Sequence, residues 1–355
     1  MRIGILTSGG DCPGINATIR GVCKTAINYY GMEVVGIHSG FQGLLTKDVE
    51  LITDKSLSGL LNMGGTILGT SRQPFKQMRV LDENNIDKVT KMKETYKKMK
   101  LDCLVILGGN GTHKTANLLS EEGLNIITLP KTIDNDLWGT EMTFGFNSAV
   151  EIATNVIDCI HTTATSHGRV FIVEIMGHKV GWLTLYAGIA GGADVILLPE
   201  IPYDINKVVD SLYLRTGQGK RFCILAVAEG ALSKKEAEMS KKEFKASRAN
   251  MSFPSVSYRV AHEIVELTGR EVRVTVPGHF QRGGGPCPYD RLLATRFGTA
   301  AVRLIEEGNF GNMVALQNGN IVAVPLSEVA GKLKYVPKDS NIIQSARDVG
   351  ICFGD

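Results

Sequence analysis

The sequence predicts an α/β protein built on doubly wound, mainly parallel sheets. Short apolar runs of β type alternate with helical patterns along most of the 355 residues. Most of these runs are continuous rather than alternating, as in strands covered on both faces. Glycine makes up 40 of 355 residues, about 11% against an average near 7%, and it clusters directly after those runs. A βαβα rhythm gives parallel sheets with right-handed crossovers, and such sheets bind ligands beyond the carboxyl ends of their strands. The length fits two domains or one large one, either with chain enough for a self-sufficient core.

In chain order, strands are expected at 3–6, 34–37, 103–107, 125–129, 170–175, 195–198, 223–228 and 272–276. Between them, Ile15, Ile19, Val22 and Ala26 recur at helical spacing, as do Val150, Ala153, Ile157 and Ile160. The longest apolar stretch, 180–199, is broken by Asp194 and several glycines, so it reads as a buried helix followed by a strand, not a membrane span. The charge-rich segments 91–100 and 234–248 read as solvated helix faces.

Composition excludes several classes. Hydrophobic residues at 43% and charged residues at 21% are those of a globular chain. A balance of 39 Lys+Arg against 36 Asp+Glu, net +3, is far from that of a nucleic-acid coat. The seven cysteines are scattered with no C-x-x-C pair, which points to buried free thiols in a reducing cytosol, not to a disulfide framework or a zinc site. MRIGILTSGG is too short and glycine-punctuated for a signal sequence. The expected setting is cytoplasmic, with no nucleic acid and no membrane as partner.

Four segments carry chemistry. Strand 3–6 runs into Thr7-Ser8-Gly9-Gly10-Asp11-Cys12-Pro13-Gly14 and then a helix. Glycines there admit a ligand close to the backbone, and the N–H groups of a helix start suit a phosphate, although Asp11 breaks a G-x-G-x-x-G fingerprint. Strand 103–107 enters Gly108-Gly109-Asn110-Gly111-Thr112, which lacks the Gly-Lys-Ser/Thr of a Walker A loop. Each could be a plain βα turn, but two such turns make a long polyphosphate a better fit than one does. After strand 125–129, Pro130-Lys131-Thr132-Ile133-Asp134-Asn135-Asp136 sets Asp134 and Asp136 on one face of an extended segment. One carboxylate can then take a proton from a hydroxyl while the other holds Mg²⁺ or its water; an Asx-rich capping turn is the plain alternative. Around the last strand, Arg270, Arg273, His279 and Arg282 form a cradle for an anion, since guanidinium binds phosphate bidentately. Arg72 and Arg169 are further candidates.

TSGGDCPGINATIRG, GGNGT, PKTIDND, VEIMGHKVGWLTL and VPGHFQRGGGPCPYDR, in this order, resemble the phosphofructokinase family. The resemblance implies two doubly wound domains: a donor (ATP)-binding domain at 1–145 plus 281–325, and a sugar-phosphate-binding domain at 146–280 plus 326–355. It implies 6-phosphofructokinase activity, the transfer of a phosphoryl group from ATP to the 1-hydroxyl of fructose 6-phosphate in glycolysis, with Mg²⁺. Gly9, Gly10, Arg72, Gln73, Gly108, Gly109, Asn110, Gly111 and Thr112 would hold ATP. Asp134 would be the general base, Thr132 would bridge donor and acceptor, and Lys131 would add charge near the transferred group. Thr132, Asp134, Arg169, Met176, Gly177, His178, Glu229, Arg273, His279 and Arg282 would bind the sugar phosphate, and Asn110 and Asp136 the metal. Arg169 and Arg273 would reach in from a neighbouring subunit, so the resemblance implies a homo-oligomer, a tetramer or a dimer, with shared sites.

Two departures stand out. Asn110 replaces an acidic, metal-associated residue of many members, and His178 replaces an arginine common in ATP-using bacterial ones. The donor signals conflict, because pyrophosphate users carry Asp at the position of Gly111 and Lys at that of Lys131. A side chain at Gly111 would crowd and repel an α-phosphate, so the space left by glycine favours ATP; a pyrophosphate-dependent fructose-6-phosphate 1-phosphotransferase is the alternative. A lipid or NAD kinase would not need PKTIDND and GHFQRGGG. A non-catalytic sugar-phosphate sensor would be expected to lose Asp134 and Thr132, which are present.

Overall fold

The computed structural model describes residues 1–83 and 85–355. Eleven strands occur among them: β1 (Arg2–Thr7), β2 (Glu33–Ile37), β3 (Val49–Ile52), β4 (Cys103–Gly108), β5 (Ile126–Pro130), β6 (Val170–Ile175), β7 (Val195–Leu197), β8 (Cys223–Ala228), β9 (Val272–Thr275), β10 (Asn312–Gln317) and β11 (Asn320–Pro325). The chain divides into two compact units, Met1–Ser148 with Arg282–Lys334 and Ala149–Gln281 with Tyr335–Asp355.

The first unit holds a seven-stranded sheet in the order β11-β10-β5-β4-β1-β2-β3. From β10 to β2 all neighbours are parallel, while the edge strands β3 and β11 are antiparallel. The continuous apolar runs have the reason expected of them: every residue of β4 and β5 is buried. Two antiparallel edges were not foreseen. β3 is a short strand with three of its four residues exposed, too brief to give a pattern. β10 and β11 form a hairpin through Asn318-Gly319, both at positive φ (49° and 76°), the turn chemistry that Asn-Gly supplies.

The last return of the chain to the second unit was expected after residue 325 but falls after Lys334. The helix Leu326–Val329 explains the difference, because it buries Leu326 and Val329 in the first unit's core beside Met313 and Val324. The helix Ile15–Lys24 is pressed onto Pro288–Glu306 at paired glycines: a Cβ on Gly298 would come within 2.7 Å of the Val22 nitrogen. This contact fixes the helix that begins beyond the first glycine turn.

The second unit holds a four-stranded, wholly parallel sheet in the order β7-β8-β6-β9. β6 and β8 are buried along their length, and the stretch 180–199 forms the helix Trp182–Ala190 followed by β7. No helix among the described residues is long and apolar enough to cross a membrane.

Two expectations need correction here. Glu236, in the charge-rich stretch 234–248, is not solvated: it is 4% exposed and pairs with Arg248 and Arg259, each at 2.7 Å. The seven cysteines are free but not all buried, since Cys159 is exposed and Cys287 and Cys352 are half-buried.

Candidate active site

β4 lies between β1 and β5, so the three turns leaving these central strands emerge side by side along the carboxyl-terminal edge of the sheet. In the first turn, Gly9 takes φ +89°, its N–H donates to the Ser71 carbonyl at 3.0 Å, and its carbonyl accepts from Thr70 Oγ1 at 2.7 Å. Gly10 is crowded by cations. A Cβ there would come within 2.7 Å of Arg282 Nη1 and 3.5 Å of Arg72 Nη2. Lys131, only 2% exposed, donates from Nζ to the Gly10 carbonyl, and burial pushes its pKa down. Arg282 donates to the Asp11 carbonyl at 3.0 Å. Neutral carbonyls thus hold two of the three cations, with the Asp11 and Asp134 carboxylates the nearby negative charges acting on Lys131. Gln73 has both ends of its amide engaged, donating to Gln42 Oε1 at 2.8 Å and accepting from Lys88 Nζ at 2.6 Å.

In the second turn Gly108 is required by packing, since a Cβ would overlap the Thr112 side chain. Thr112 Oγ1 donates to the Ser8 carbonyl at 3.4 Å, which links the first two turns. Gly109 precedes the helix Asn110–Glu121. Gly111 faces open space, with nothing within 4 Å of a Cβ. Asn110 Nδ2 donates to the Lys332 carbonyl at 2.6 Å, so its amide oxygen is the end left for a cation. His113 follows the motif directly and carries no role in the sequence reading. It is 1% exposed, with Nδ1 2.9 Å from the Gly109 carbonyl. A carbonyl only accepts, so Nδ1 carries the hydrogen; Nε2 is bare and has no hydrogen-bond partner. Burial pushes its pKa down to about 4.

The third turn is not the extended segment expected. Asn135 adopts φ +51°, so the rule that i and i+2 share a face does not apply to Asp134 and Asp136. Asp134 is half-buried, whereas Asp136 is 9% exposed. Burial, reinforced by the Asp134 charge, pushes the Asp136 carboxyl up to about 7. The turn is cross-braced. Asn135 donates to the Glu141 carbonyl at 3.2 Å and accepts from the Thr143 N–H at 3.1 Å, and Thr143 Oγ1 donates to the Thr132 carbonyl at 2.8 Å. Thr132 Oγ1 accepts from the Asp134 N–H at 3.0 Å.

For Mg²⁺ the fit is that of an ion bound largely by its ligand. No cluster of three or more His, Cys, Asp or Glu suited to a metal occurs among the described residues. Asp136 keeps a buried Oδ1 that accepts no hydrogen bond, and Mg²⁺ is usually held by one or two carboxylates plus phosphate oxygens.

In the second unit β6 ends at Met176-Gly177-His178. Gly177 takes φ +149° and His178 φ +53°, and this bent loop is tied from below. Glu229 Oε1 accepts from the N–H groups of Gly177 (3.2 Å) and His178 (2.7 Å), and buried Gln281 accepts from the Met176 N–H at 3.2 Å. Glu229 therefore shapes the loop. Gln281 was missed by sequence reading; it stood in the GHFQRGGG motif without a chemical flag. Arg169 and Arg273 both grip Glu271, Arg169 at 2.5 Å: β6 and β9 pair Val170 with Val272, which brings the preceding residues Arg169 and Glu271 together, and Arg273 lies two residues beyond Glu271. Arg270 is engaged elsewhere, with Thr216 Oγ1. His279 is exposed, beside Phe280, which is 81% exposed.

Glycine turns at the ends of neighbouring parallel strands, lined by cations and followed by an acidic turn, define a phosphate-binding α/β protein. The family profile described as Phosphofructokinase matches residues 2–305, and the chain belongs to that family. It is 59% identical to the ATP-dependent 6-phosphofructokinase of Spirochaeta thermophila over 99% of this chain and 97% of that one. It is 56% identical to ATP-dependent 6-phosphofructokinase 3 of Bacteroides thetaiotaomicron over the whole of both. Among solved structures, the phosphofructokinase of Pichia pastoris superposes with a TM-score of 0.80 at 34% identity, covering 92% of this chain and 35% of that longer one. A pyrophosphate-dependent phosphofructokinase of Nitrosospira multiformis shares the fold, with a TM-score of 0.82 at 22% identity over 96% of this chain and 87% of that one.

His113 makes stability pH-dependent in a stated direction. Its folded pKa of about 4 lies below the ordinary histidine value of 6.5, so between those values the unfolded chain binds the extra proton and stability falls as pH falls. At about 1.4 kcal/mol per pKa unit, the loss on going from pH 7 to below 4 is on the order of 3 kcal/mol. His113→Asn, which keeps a donor and removes the titration, should flatten the pH dependence of the thermal midpoint in that window. An unchanged slope would assign the acid sensitivity to other groups.

Proposed function

We propose that this protein is an ATP-dependent 6-phosphofructokinase, converting fructose 6-phosphate and ATP to fructose 1,6-bisphosphate and ADP. The observation that carries the reading is the full-length similarity to enzymes of that name, with each turn the chemistry requires present in the sheet edge. The donor phosphates lie on Gly9, Gly10 and Gly108 to Thr112, facing Arg72 and Lys131. Asp136 and Asn110 would hold Mg²⁺, which when bound would supply neutralisation of phosphate charge. Asp134 takes the proton of the sugar 1-hydroxyl as that oxygen attacks the terminal phosphorus. Thr132, which already orients Asp134 through its N–H, stands between donor and acceptor. Met176, Gly177, His178, Arg169, Arg273, His279 and Arg282 receive the sugar phosphate, with Glu229 setting the loop.

Asp134→Asn keeps the shape and removes the base. General base catalysis contributes about 10²–10⁴-fold, so kcat should fall by that order while the KM for fructose 6-phosphate stays within a few-fold. Near-normal kcat would take Asp134 out of the role.

The donor is tested by assaying ATP and pyrophosphate side by side with fructose 6-phosphate. ATP should be the faster donor. Gly111→Asp fits the free protein, because nothing crowds that position, so its effect reads the ligand alone. Like charges about 4 Å apart cost roughly 4 kcal/mol at an effective dielectric near 20, and ATP use should collapse in a folded variant. Faster turnover with pyrophosphate in the unmutated protein would overturn the assignment.

The active form is a homo-oligomer, a tetramer or a dimer, working in the cytoplasm. Support comes from the apolar surface beside the arginines, where Phe280 is 81% and Val276 46% exposed, and, for the compartment, from seven unpaired thiols. Arg273→Ala should chiefly raise the KM for fructose 6-phosphate, and dilution to monomer should abolish turnover. A fully active monomer in sedimentation would contradict shared sites.

A further inference from the structure

We propose that Lys334 is a positioning residue for phosphoryl transfer, holding the turn that bears Asp134 and Asp136 in register with the turn that bears Asn110. The proposal deepens the functional reading above and rests on it. The residues concerned lie beyond 305, where the family match ends, so no family motif drew attention to them.

A short strap, 331–334, crosses behind both turns. It enters at Gly331, where φ is +83° and a Cβ would come within 3.1 Å of Lys114 Cε, so a residue without a side chain fits there. The next three residues each make a tie. The Lys332 carbonyl accepts from Asn110 Nδ2 at 2.6 Å, which fixes the first residue of the helix after the second glycine turn. Leu333 forms an antiparallel bridge with Leu137. The Lys334 N–H donates to the Asp136 carbonyl at 2.8 Å, and its Nζ donates to the carbonyls of Thr140 (2.9 Å) and Glu141 (2.8 Å).

The Glu141 carbonyl is shared, because Asn135 Nδ2 donates to it as well. One carbonyl therefore joins Lys334 to the residue whose left-handed backbone sets the direction of the two flanking aspartates. The backbone ties of Lys332 and Leu333 survive any side-chain change. The Nζ pair does not, and within the strap it is the tie to the far limb of the acidic turn, whose Thr140 and Glu141 are otherwise held from β10 and its hairpin. A base and a donor-binding residue carried on separate turns need such a common reference, since reactivity depends steeply on their relative placement.

The test is steady-state kinetics with ATP and fructose 6-phosphate on the intact oligomer, alongside the thermal midpoint. Lys334→Met preserves bulk but donates nothing. It should lose kcat by roughly 10- to 100-fold, a positioning-scale effect, with both KM values within about threefold, the pattern of an interaction that matters only at the transition state. Lys334→Arg, which can still reach carbonyls, should recover much of the loss. Wild-type kcat in a folded Lys334→Met overturns the proposal, as does a loss that Lys334→Arg leaves unrelieved. If Lys334→Met fails to fold, Lys334→Gln replaces it, and failure of both variants to fold assigns the residue to stability alone and overturns the proposal. A wild-type protein inert with ATP and fructose 6-phosphate instead removes the functional reading, and the role of Lys334 with it.

Discussion

The first unit is organised around an ammonium group that has almost no water. Lys131 leaves β5 and lies buried against the first glycine turn, with the Gly10 carbonyl as partner. Burying an unpaired cation costs several kcal/mol, and a neutral carbonyl returns only part of that cost. Arg282 and Arg72 press on the same glycine. The fold thus gathers positive charge at one sheet edge, only partly offset by the nearby carboxylates of Asp11 and Asp134, an arrangement suited to an anionic ligand. This charge, more than the glycines, suits the edge to the phosphate role proposed for it.

The glycines follow from it. A side chain at Gly9 would stand 3.7 Å from the Lys131 ammonium, one at Gly10 would displace a guanidinium, and one at Gly108 would overlap Thr112. At Gly10 and Gly108 another group occupies the space, whereas at Gly9 the contact would be ordinary and it is the φ of +89° that asks for glycine. Gly111 differs, because its Cβ would meet nothing. Its smallness has no packing cause within the free protein, so a ligand is the remaining cause to consider.

How much of this could be read in advance depends on sequence separation. The parallel strands were legible because burial on both faces leaves a local apolar signature. The β10–β11 hairpin carried an Asn-Gly signal that could have been used and was not. The bent acidic turn was misread as extended, since nothing local in Thr132-Ile133-Asp134-Asn135-Asp136 announces that Asn135 is braced by Glu141 and Thr143. Glu229 was named for the sugar phosphate, but that its Oε1 also ties loop N–H groups 52 and 51 residues away was not legible. Lys334 meets its carbonyls across 194 and 193 residues, and no pattern in one sequence encodes such a pairing. Residue types that bear chemistry show themselves. Residues that hold them in place do so only in three dimensions.

The same distinction bears on the conflict between Gly111 and Lys131. As a residue type, Lys131 suggests a charge offered to the transferred group, the feature associated with pyrophosphate as donor. In place, its Nζ is committed to the Gly10 carbonyl and its burial lowers its own pKa. The lysine therefore belongs to the framework of the first turn, where it suits any donor whose phosphates lie along that edge. It does not discriminate between a short phosphate chain and a nucleotide. On the proposed reading Gly111 would discriminate, because the open space at that position leaves room for an α-phosphate that a carboxylate would repel. When one residue serves the scaffold and the other borders only the ligand, the second is the better guide to the ligand's identity.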